Sequence, residues 1–226
     1  MNEFLPGLDV NLFNSTDPAN VATTVRLIIL ITVLSIAPSI LILMTSFTRI
    51  IIVLSFVRTS LATQQMPPTQ VLISLALFMT FFIMAPTFSE VNDKALTPFF
   101  NGQISQEEAF DEAAKPMKEF MSKHTRQKDL MLFLGYAEME QPQTIDDIPL
   151  TALVPAYAIS EIKTAFQIGF MIFVPFLVID MIVASVLMSM GMMMLPPVMI
   201  SLPFKILLFV MVDGWYLVVK SLLISF

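Results

Sequence analysis

Apolar and polar positions along the chain fall into four uncharged stretches and one long polar one. The first uncharged stretch runs from Leu27 to Thr48. Its length, about 33 Å as a helix, is enough for one membrane crossing. Pro38 lies inside it and predicts a kink. A segment bracketed by Arg49 and Arg58 follows, then a polar turn, Thr63-Gln64-Gln65-Met66-Pro67-Pro68. Val71 to Ala85 is the second span, ending near Pro86. Glu90 to Lys163 reads as a soluble-like segment, with thirteen acidic and seven basic residues. Apolar character returns at Thr164 and continues for sixteen residues to Asp180. Sixteen residues cover only about 24 Å, so either the helix continues past Asp180 and holds a carboxylate at depth, or the element does not cross a normal bilayer. The last apolar region, Val198 to Phe226, carries Lys205, Asp213 and Lys220.

Within the polar segment, Ser105-Gln106-Glu107-Glu108 is a capping-box pattern. Phe110, Ala113, Ala114, Met117, Phe120 and Met121 then recur at helical spacing. This predicts an amphipathic helix whose apolar face, with Phe110, Met117 and Phe120, packs on a neighbouring subunit. Lys118 to Asp129 reads as its solvated end, and His124 as an exposed polar residue there. Thr144-Ile145-Asp146-Asp147 reads as a turn or cap.

These elements give an all-α membrane protein. Residues 1–26 form an extracytoplasmic N-terminal segment and 27–89 a first hydrophobic hairpin. Residues 90–163 form an extracytoplasmic helical segment, and 164–226 a second hairpin. Arg49 and Arg58 are the only charges between Leu27 and Ser89 and mark the cytoplasmic side. The acidic N-terminus lacks a basic n-region, so the first span reads as retained rather than as a cleaved signal.

Composition supports this class. Apolar residues make up 56% of the 226, charged residues 13%, and mean hydropathy is +0.80. The net charge of -6 comes mostly from the polar segment and gives no basic surface for nucleic acid. With no cysteine and one histidine, disulfides, thiolate metal sites and a Ser-His triad are excluded.

Two features carry candidate chemistry. Gly191-Met192-Met193-Met194-Leu195-Pro196-Pro197 forms the tip of the second hairpin. Gly191 permits a sharp path, and Pro196 and Pro197 stop a helix from running through. Thioethers there are deformable and re-pack around whatever displaces them. Packing and gating are both open readings of this loop. The second feature is the set Asp180, Lys205 and Asp213, charges in apolar surroundings. Such groups face protein, a partner or water. Pairing between helices or subunits, a proton relay, and an aspartyl dyad of Asp180 with Asp213 are the three readings. A small-solute transporter is a further alternative for the whole chain, but it shows no internal repeat.

Several stretches together resemble one family. They are Phe47–Ile50 with Leu54–Arg58, Gln65–Pro68, Ser122–Arg126, Ile159–Phe166, Met190–Pro197, Leu202–Lys205 and Val212–Trp215. The chain is similar to the FliP/SctR export-gate family of type III secretion systems, in its flagellar branch. The resemblance implies a homo-oligomer that joins FliQ and FliR in a helical pore complex. It works with FlhB and FlhA in the cell membrane, within the flagellar basal body. It also implies passage of unfolded flagellar subunits without catalysis, cofactor or metal. By motif, Met192, Met193 and Met194 fall on the family's methionine gasket, with Gly191, Pro196 and Pro197 shaping the loop.

Overall fold

A computed structural model describes residues 18–63, 65–139, 142–192 and 195–226. The expected N-terminal segment lies mostly outside these residues, as do Met193 and Met194. Every regular element among the described residues is helical. In chain order they are α1 (Pro18–Leu43), α2 (Phe47–Ser60), α3 (Thr69–Val91), α4 (Thr97–Phe100), α5 (Gln106–His124), α6 (Gln127–Tyr136), α7 (Leu150–Ser189), α8 (Pro197–Met211) and α9 (Gly214–Ile224). A single turn of π-helix, Asn92–Leu96, joins α3 to α4. The chain divides into two compact units, residues 1–41 and 42–226.

The second unit is built around α2. Ile50, Val53, Leu54 and Val57 recur at three- and four-residue intervals, which puts them on one helical face. All four are buried, together with Leu72 and Ala76 of α3, Ala165 and Phe176 of α7, Phe209 of α8, and Val218 and Leu222 of α9. Gly169 explains how closely α2 and α7 approach. A Cβ there would lie 2.5 Å from Cγ of Phe56, so only glycine fits this contact. A smaller core joins Met121 of α5 to Ile148, Leu153 and Tyr157 at the start of α7.

Three points of the sequence reading are revised or decided. The segment bracketed by Arg49 and Arg58 is a helix of its own, α2, and it is this helix that packs on α3. Of the two readings of the third apolar element, the one in which the helix continues past Asp180 holds, because α7 has 40 residues in one helix. That is about 60 Å, roughly twice a hydrocarbon core. It begins inside the expected polar segment and runs past Asp180. Nor do prolines break every apolar element. Helix continues through Pro86 in α3, Pro155 and Pro175 in α7, and Pro203 in α8. Each proline removes one backbone donor, and the packing around these helices outweighs that loss. By length and composition, two helices among the described residues are able to cross a membrane, or three if the bent pair α8 and α9 is one span.

Local chemistry follows the sequence more closely. Ser105 caps α5 as expected: Glu108 N–H donates to Ser105 Oγ at 3.2 Å, and Ser105 N–H to Glu108 Oε2 at 2.8 Å. Thr144 N–H and Oγ1 both donate to Asp147 Oδ2, closing the turn expected there.

Candidate functional site

The methionine loop has a defined entrance and exit. At the end of α7, Gly191 takes φ +73°. Its N–H donates to Met188 O at 3.0 Å, and the Met192 N–H to Leu187 O at 3.0 Å. These paired bonds form a Schellman cap, which favours glycine at the left-handed position. Met192 follows, half-buried. On the other side, Pro196 is extended before α8 and Pro197 is its first residue. Proline suits that place because its missing N–H has no helical partner there anyway. Gly191 and Pro197 thus fix where the chain leaves one helix and enters the next.

Below the tip, a polar clasp ties α7 to α8. Lys205 Nζ donates to Asp180 Oδ2 at 2.7 Å, and Ser201 Oγ to Asp180 Oδ1 at 2.5 Å. Lys205 is 3% exposed and Asp180 27%. One carboxylate therefore engages two residues a turn apart on α8, and this sets the register of the hairpin. Asp213 is not part of the clasp. It is exposed and takes φ 51°, ψ 54° at the 62° bend between α8 and α9. Aspartate is one of the few residues that tolerate this left-handed geometry. With Asp180 neutralised by a lysine and Asp213 at the bend, these two carboxylates do not form a dyad sharing a proton.

The sequence reading missed a second polar junction, centred on Arg49. Its Nε donates to Glu161 Oε2 at 2.8 Å, and its Nη2 to Glu161 Oε1. Nη1 donates to Ser225 O at 2.6 Å and to Ser225 Oγ at 3.1 Å. The guanidinium carbon lies 3.8 Å from the centre of the Phe226 ring, a cation–π contact. The pair is 3% and 0% exposed. Beside it, Tyr157 Oη donates to Thr45 O at 2.9 Å. Arg49 thus spends its charge inside the protein. Arg58 remains nearer the surface and donates to Thr69 Oγ1 at 3.0 Å. The available signal was an arginine among apolar residues and a glutamate near the end of the polar segment.

His124 also departs from the exposed reading. Its ring is half-buried, with Phe120 and Phe226 at centroid distances of 5.0 and 5.2 Å. Burial, then the charges of Arg49 and Lys123, push its pKa down to about 4. On the same helix, Met117 and Phe120 pack against the smaller core of this chain, whereas Phe110 is 67% exposed. The face assigned to a neighbouring subunit is thus partly used within the chain. The described residues bring together no cluster suited to a metal ion.

Among the described residues, helices long and apolar enough to cross a membrane, exposed apolar side chains and internally paired charges mark the class, an all-helical chain able to span a membrane. The chain belongs to the FliP family, whose model matches residues 30–222. The flagellar biosynthetic protein FliP of Bacillus subtilis (strain 168) is 73% identical over 226 residues, covering all of both chains. The protein of that name from Pectobacterium carotovorum is 53% identical over 203 residues, 90% of this chain and 79% of the relative. That of Aquifex aeolicus is 49% identical over 209 residues, 92% and 87% respectively.

Proposed function

We propose that the chain is a core subunit of the flagellar type III export gate. Further copies of it, with FliQ and FliR, form a pore for unfolded flagellar subunits, next to FlhA and FlhB. The assembly belongs to the cell membrane and the basal body and acts without catalysis. The observation that carries the reading is the methionine loop at the tip of a clasped hairpin. The Schellman cap and Pro197 fix its two ends, and the clasp fixes its height. Met192, Met193 and Met194 are then free to pack against their counterparts and, during passage, against arbitrary side chains. Family membership and the relatives' flagellar names support the setting. Exposed apolar residues such as Phe78, Phe82, Met171 and Met211 supply surface for lipid and other subunits. Phe110 meets a neighbouring subunit, and Asp213 faces a partner or water at the bend.

The test is ion conductance of the assembled complex in planar bilayers. Replacing Met192, Met193 and Met194 with alanine is expected to raise the resting leak severalfold, because the seal loses most of its side-chain volume. A mutant complex that assembles and leaks no more than the parent would sink the gasket role.

A further inference from the structure

Three of the seven cations of the polar segment are paired with a carboxylate three or four residues away: Lys94 with Glu90, Lys115 with Glu112, Lys123 with Glu119. One group is not balanced in this way. Ser160 of α7 holds the start of α6, accepting from the Arg126 N–H at 3.0 Å and donating to Asp129 Oδ2 at 2.6 Å. Arg126 Nη2 donates to the same carboxylate oxygen at 2.6 Å. This docking places Arg126 and Lys128 against the α7 turn bearing Lys163, which follows Ser160 by three residues and so shares its face. The charges of Arg126 and Lys128 both act on Lys163. Asp129 is the carboxylate bound among them, and one of its oxygens already takes two bonds. Arg126 Nε and Nη1 are buried and have no partner among the described residues. Like charges held this close repel unless an anion lies between them. The cluster is short of one.

The surroundings indicate which anion. Lys163 directly precedes the uncharged run Thr164–Ile179. Ile162 and Phe166 beside it on α7 are exposed, as is Leu132, one turn beyond Lys128 on α6. Cations edging an exposed apolar strip match a phosphate that carries acyl chains. A free phosphate or an acidic peptide would use the charges and leave the strip uncovered. We infer that Arg126, Lys128 and Lys163 bind the headgroup phosphate of an anionic phospholipid, whose chains cover Ile162, Phe166 and Leu132. The inference does not depend on the pore role of the methionine loop.

The test uses the full chain in nanodiscs of equal phosphatidylglycerol and phosphatidylcholine. Lipid retained on extraction into detergent is counted by native mass spectrometry. The parent is expected to retain phosphatidylglycerol preferentially. The double variant Lys128→Gln, Lys163→Gln should lose that preference by roughly tenfold. Both side chains are exposed, and each single variant, expected to show a partial loss, serves if the double variant does not fold. Equal retention of the two lipids by the parent overturns the site without recourse to any variant. So does an unchanged preference in the folded double variant. Full displacement of phosphatidylglycerol by excess sodium phosphate, with Phe166→Ser having no effect, would leave a free-anion site only. Loss of subunit association with lipid preference intact would assign the cluster to another copy's carboxylates. Either result overturns the lipid assignment.

Discussion

Two ion pairs sit in apolar surroundings and do different work. Arg49 and Glu161 are sealed from solvent, bonded in a bidentate manner and covered by the ring of Phe226. Lys205 and Asp180 form a single contact, supported by Ser201, and leave part of the carboxylate open. The first lies where α2, α7 and the residues after α9 converge, far apart in sequence. The second joins two helices linked by one short loop. The difference shows that burial and sequence separation, rather than charge, decide whether a pair holds a fold together or tunes one hairpin. A fully desolvated charge has no alternative partner, so losing its mate costs much more than the pair itself contributes. A partly open carboxylate recovers some hydration when its partner is lost.

The largest effect is expected at the sealed pair. Glu161→Ala leaves Arg49 buried and uncompensated, so the unit should lose about 3–5 kcal/mol. Thermal denaturation of the detergent-solubilised protein measures this, and an unchanged midpoint would refute the keystone role.

A smaller effect is expected at the clasp. Lys205→Met keeps the length of the side chain and leaves the partly open Asp180 carboxylate bonded to Ser201, at a cost of about 1–3 kcal/mol. The loss should appear as a broader distance distribution between spin labels on α7 and α8, while the second unit stays folded. If Lys205→Met destabilises as much as Glu161→Ala, the contrast between the two pairs collapses.

The smallest effect concerns pH. His124 stands beside Arg49, and its folded pKa of about 4 lies below the ordinary 6.5. The unfolded chain therefore binds the extra proton first as pH falls. The stability that neutral His124 contributes is complete above pH 6.5 and is lost progressively from there toward pH 4. Melting midpoints across that window should decline more steeply for the parent than for His124→Gln. Parallel curves would mean that the ring is solvated.

Each success of the sequence reading rested on local chemistry. Ser105 and Glu108 sit three residues apart, and a capping box needs nothing more distant. Gly191 and the proline pair marked the ends of the loop for the same reason. The failures came from distance. Arg49 and Glu161 are separated by 112 residues, and no spacing rule connects them. Counting charges also misled: the apolar element was read as opening at Thr164, after Lys163, yet the helix begins at Leu150 and holds Glu161 as well as Asp180, each with a partner.

By itself, the sequence determined a helical membrane chain, its caps, and a methionine loop bounded by a glycine and prolines. Periodicity, hydropathy and backbone preference are properties of neighbouring residues, so they can be read in one dimension. The tertiary structure alone decided which charge meets which, that Asp213 occupies a bend and not the interior, and that His124 rests on phenylalanine rings. It also decided that α2 forms the centre of the second unit. Those outcomes depend on which helices are brought together, because a buried charge or a helix face is settled by what lies opposite it.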